Sequence, residues 1–76
     1  MNEAKRKTLR DAIQLLGRVI AIVESVCDKE QDAVDNYPEN LQDTDRYEAM
    51  ENAVENLNDA AEKLEEARGY IEAAVR

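Results

Sequence analysis

The sequence predicts an all-α protein, an antiparallel two-helix hairpin of coiled-coil character that self-associates, with a four-helix bundle as the favoured assembly. Three observations lead there. Apolar residues recur in a four-three rhythm along two long stretches, and the single proline, Pro38, falls between them. Alanine repeats every seven residues at Ala53, Ala60, Ala67 and Ala74 in the second stretch. Seven-residue periodicity is the pattern of helices packed along their length, and small side chains let a neighbouring backbone approach closely. All 76 residues form one domain, with helices at about 3–35 and 45–75 and a turn at about 36–44.

The first helix is built on Leu9, Ile13, Leu16, Ile20, Val23, Cys27 and Val34, a seam that Glu30 alone interrupts. A second stripe at Ala12, Val19, Val26 and Ala33, with Leu15 and Ile22 beside it, makes the apolar surface wider than one partner helix covers. Gly17 sits inside this helix, where glycine costs about 1 kcal/mol relative to alanine. Tight packing or simple tolerance would each account for it.

Proline disfavours helical geometry in the residue before it and lacks a backbone donor, so the first helix ends near Asn36. The second restarts at Thr44 or Asp45, where Asp45 followed by Glu48 has capping-box character. Its ladder is Tyr47, Met50, Val54, Leu57, Ala61, Leu64, Ile71 and Val75, interrupted by Arg68. A turn centred near residue 40 sets Val34 beside Tyr47 and Ile13 beside Arg68, in a rod roughly 45 Å long at about 1.5 Å per residue. Glu30 and Arg68 then lie far apart within one chain. Either each snorkels to the rim, or they meet between chains and set register and partner number.

A chain this short buries too small a share of its surface to be comfortably stable alone. One cysteine and no histidine leave no intrachain disulfide and little for a nitrogen- or sulfur-based metal site. Self-association is the remaining device, with a dimer favoured and a trimer or ring left open. Leu15, Val19, Ile22 and Val26 with Ala53, Ala60, Ala67 and Ala74 are the expected oligomer interface. The lone cysteine, and an apolar run no longer than Val19 to Val23, suggest a cytoplasmic protein with no membrane span.

The net charge of -8 is unevenly spread. From Glu24 to Asp59 twelve carboxylates face only Lys29 and Arg46, a local charge of -10, whereas Met1 to Arg18 carries +3. Direct nucleic-acid binding needs concentrated positive charge and is disfavoured. A basic protein surface suits this chain better.

No catalytic residues are expected. Cys27 has no histidine to activate it and reads as a buried thiol, while the many carboxylates lack a cleft. The acids near the turn lack the spacing and central glycine of a calcium loop, and no glycine-rich phosphate loop exists, so no metal or cofactor is assigned. The candidate partner-binding residues are Tyr37, Glu39, Asp43, Asp45, Arg46, Glu48, Glu51 and Glu55, which mix aromatic faces, one cation and a run of acids. A plainer account has Tyr37 and Leu41 closing the end of the bundle, Asn40 and Gln42 bonding turn backbone, and Arg46 offsetting nearby acids.

The run Pro38-Glu39-Asn40-Leu41-Gln42, followed by Asp45-Arg46 and the Met50-Ala53-Leu57 ladder, resembles small acidic hairpin proteins encoded by phages and mobile elements of Gram-positive bacteria. Those proteins carry a Pro-Glu-(Asn/Ser)-Leu-Gln turn and then Glu-Arg, where this chain has Asp45-Arg46. The resemblance covers about half the chain, and only the turn is specific. It implies a bacterial host cell and no mechanism.

Three functions fit. The first is a non-catalytic inhibitor of a host protein, a defence factor included in the manner of an anti-CRISPR protein, acting through an acidic surface that imitates nucleic acid. The second is an oligomeric sponge for a small nucleotide signal, using Arg46, Arg68 or the basic N-terminal cluster for phosphate and Tyr37 or Tyr47 for stacking. The third is a structural coiled-coil subunit.

Overall fold

The computed structural model describes all residues from Met1 to Arg76 as two packed helices without strands. Helix α1 spans Glu3–Asp35 and helix α2 spans Asp45–Val75, with one 3-10 turn, Glu39–Leu41, between them. Asn2 caps α1, its side-chain oxygen accepting the Lys5 backbone N–H at 2.9 Å. At the other end Asn36 donates twice to the Asp32 carbonyl, from its backbone at 3.1 Å and its side chain at 2.8 Å. Pro38 then takes an extended conformation that carries the chain out of the helix.

Thr44, not Asp45, is the residue that caps α2. Its hydroxyl accepts the Tyr47 N–H at 3.3 Å and donates to the Leu41 carbonyl at 2.7 Å. The expected Asp45–Glu48 capping box therefore does not form. Tyr47 occupies the place its acid would need, and Asp45 and Glu48 remain as first-turn carboxylates at the positive end of the helix dipole.

The expected seams form the inner faces. Ile20, Cys27, Val34 and Val54 are buried, and Tyr47, Met50 and Leu57 pack against the last three of them. The remaining seam residues are half-buried, because a two-helix rod has a single line of contact and solvent on both flanks. Cys27 packs across the helix interface, its single thiol hydrogen shared between Asn58 Oδ1 at 3.4 Å and the Val54 carbonyl at 3.7 Å.

The Arg68 guanidinium reaches Gly17, with its Nη1 only 3.3 Å from where a Gly17 Cβ would sit. Gly17 thus makes room for an arginine side chain. One expected distance changes. The rod is 60 Å long rather than about 45 Å, because the estimate counted some 30 residues of helix whereas α1 alone has 33 and the turn extends past it. The repeating alanines do not face α1: Ala53 is half-buried, and Ala60, Ala67 and Ala74 are exposed beside the seam.

Candidate binding surface

The turn half of the rod gathers the acids. Glu39, Asp43, Asp45, Arg46, Glu48, Glu51 and Glu55 are all exposed, and Tyr37 is half-buried. At about 100° per residue, Glu48, Glu51, Glu55 and Asp59 fall along one side of α2, roughly one carboxylate per turn. Glu24, Asp28 and Asp35 do the same on α1. Both rows lie a quarter-turn from the seam in the direction of increasing residue number. With the helices antiparallel, those two sides form one broad face of the hairpin. The expected site residues on α2 are thereby extended by three acids of α1, which the spacing of four and seven residues already hinted at.

The opposite quarter-turn leads to the other broad face. It carries the exposed Leu15, Val19, Ile22 and Val26 on α1 and the alanine row on α2. The hairpin is two-sided, with acids on one face of its turn half and apolar side chains on the other.

No ion pair forms in the acidic half. The five ion pairs are Arg6–Glu3, Arg10–Glu3, Lys63–Glu66, Arg68–Glu65 and Arg68–Glu72, all outside the stretch from Glu24 to Asp59. Arg46 makes no ion pair with its acidic neighbours. Gln42 does bond turn backbone, donating to the Tyr37 carbonyl at 3.3 Å. Leu41 stays 41% exposed, so it closes the end of the bundle only partly.

Tyr37 and Tyr47 pack on each other with ring centroids 5.4 Å apart and planes tilted by 42°. Their mutual contact occupies part of the aromatic surface that a nucleotide base would need. Arg68 is held by Glu65 at 2.6 Å and Glu72 at 3.7 Å on its own helix, so it snorkels to the rim within one chain. Glu30 is half-buried and makes no ion pair.

The surface recesses are shallow, and each is lined by residues of one helix or its cap, so none lies between the helices. No group of three acid, cysteine or histidine side chains is arranged to hold a metal ion, and no helix is long and apolar enough to cross a membrane. The chemistry this arrangement supports is electrostatic recognition over an extended convex surface. No protein-family model matches the chain, and no curated protein or solved structure is significantly similar to it.

Proposed function

We propose that this hairpin is a non-catalytic binding protein whose acidic turn half occupies a basic groove of a host protein, one that otherwise takes nucleic acid, and so inhibits it. The supporting observation is the placement of charge. Twelve carboxylates between Glu24 and Asp59 have no ion-pair partner, and rows of them share one face of two rigid helices. Side chains recurring about every 5.4 Å along a helix imitate the regular negative charge of a nucleic-acid backbone, and rigid presentation limits the entropy lost on binding. The resemblance of the Pro38–Gln42 turn points to a bacterial host, with defence proteins among the targets.

The test is capture from bacterial lysate by the intact protein, with double-stranded DNA as competitor. The expected partner is a nucleic-acid-binding protein that DNA releases and that high salt weakens steeply. The triple variant Glu48→Lys, Glu51→Lys, Glu55→Lys is expected to lose that partner while keeping its helicity by circular dichroism. Undiminished capture by this variant, or capture indifferent to DNA, would overturn the reading.

A further inference from the structure

Leu15, Val19, Ile22 and Val26 are 57%, 42%, 63% and 47% exposed, an unpartnered apolar row on the face opposite the acids. Their spacing of four, three and four reads the same in both directions, with its centre between Ile20 and Ala21. The alanine row on the same face is also symmetric, centred between Lys63 and Leu64. The contacts of Cys27 with Val54 and Asn58, and of Arg68 with Gly17, bring these two centres to within about one helical turn of the same level of the hairpin. That level is also near the middle of the 60 Å rod.

We propose that the occupant of this face is a second copy of the chain, turned end for end about a two-fold axis that runs across the rod near both centres. Leu15 then meets Val26 of the second copy and Val19 meets its Ile22, while the alanine rows bring the two α2 helices close. An isologous contact requires a surface that is complementary to itself, and two symmetric rows whose centres lie close together meet that condition. In each hairpin the seam and the outer row of α1 stand about a quarter-turn apart, which is the angle between the two neighbours of a helix in a four-helix bundle.

Charge selects this arrangement over its rival. A face-to-face dimer with both turns at one end would instead set the large row of one copy over the alanines of the other, and it would place two halves of charge -10 at the same end. Turning one copy end for end sets each acidic half beside the other copy's terminal half, where Lys5, Lys7, Arg18 and Arg76 make no ion pair. In the rival the acidic faces of the two copies are about two helix diameters apart, roughly 20 Å, which exceeds the roughly 8 Å screening length, so this preference is strongest at low salt. The acidic faces then point outward at opposite ends, giving two separate docking surfaces.

This proposal does not rest on the acidic surface having a host partner. Light scattering on the unmodified protein is expected to give a dimer, twice the 8.6 kDa chain. Nitroxide labels at Asn40→Cys in a Cys27→Ala background are expected about 55 Å apart, since each turn lies roughly 18 residues from the axis at 1.5 Å per residue. The double variant Val19→Glu, Ile22→Glu is expected to be a helical monomer. A monomeric or higher-order native protein, labels within about 25 Å (two helix diameters), or a double variant that stays dimeric would each overturn the arrangement.

Discussion

In the turn half of the rod Cys27, Val34 and Val54 are buried against Tyr47, Met50 and Leu57, and not one ion pair forms. Ile20 is buried at the middle of the rod, but in the terminal half no residue of α1 before it and none of α2 after Val54 is buried, and all five ion pairs are found there or at its border. Apolar contact and charge compensation are thus separated along one molecule. Burial is what holds together the half whose carboxylates repel one another. Exposed ion pairs contribute little apiece, so the terminal half is held mainly by half-buried seam contacts. The difference places the tighter packing beneath the surface proposed to bind, which keeps that surface rigid without neutralising it.

The largest test of this contrast compares core truncations in the two halves. Val54→Ala is expected to cost about 2 kcal/mol in urea unfolding, as a 7% exposed side chain in the turn-half cluster. Leu64→Ala removes more atoms, yet is expected to cost about half as much because Leu64 is only half-buried. An equal or larger loss at Leu64 would show that the halves are packed alike. Next comes Thr44→Ala, expected to cost about 1 kcal/mol through loss of the α2 cap. Amide exchange should locate that loss in the first turn of α2, and uniform acceleration along both helices would contradict the assignment of Thr44 as a local cap.

A smaller effect of opposite sign is expected in the terminal half. Gly17→Ala gains up to about 1 kcal/mol of helix propensity. The new Cβ would meet Arg68 Nη1 at 3.3 Å, but that atom is the far end of a flexible side chain that Glu65 and Glu72 hold from the solvent side. A modest net gain in thermal midpoint is therefore expected. A loss would show that Gly17 is required for the approach of Arg68 and that the terminal half is more tightly fitted than its exposure indicates.

Much of the architecture was legible because helical periodicity repeats many times. The seam from Leu9 to Val34 and its counterpart from Tyr47 to Val75 each supply enough turns to fix an inner face, and Pro38 is an unambiguous break. Single local choices were not legible. Thr44 and Asp45 both suit a cap, and what separates them is the Thr44 hydroxyl bond to the Leu41 carbonyl, which exists because the link contains a 3-10 turn. The reach of the Arg68 guanidinium to Gly17 depends on its side-chain conformation and its ion pairs with Glu65 and Glu72, which spacing alone does not give. The candidate acids could be named from composition and spacing. Their union with Glu24, Asp28 and Asp35 on one face required the antiparallel register, a long-range property that no local pattern carries.

The smallest expected effect addresses charge directly. Replacing Glu48, Glu51 and Glu55 by glutamine keeps side-chain size and helix propensity nearly constant while removing three charges from the half that carries -10. Self-repulsion in that half falls, so the thermal midpoint is expected to rise at low ionic strength by less than the Thr44→Ala loss, and the gain is expected to fade as salt screens the remaining acids. The same number of replacements at Glu65, Glu66 and Glu72 removes partners of Lys63 and Arg68 and is expected to give no such rise. If both triples raised the midpoint equally, repulsion would be a property of the whole chain and not of its turn half. If only the turn-half triple does so, that half carries uncompensated negative charge at a cost in stability, which is the condition expected of a surface kept acidic for a partner.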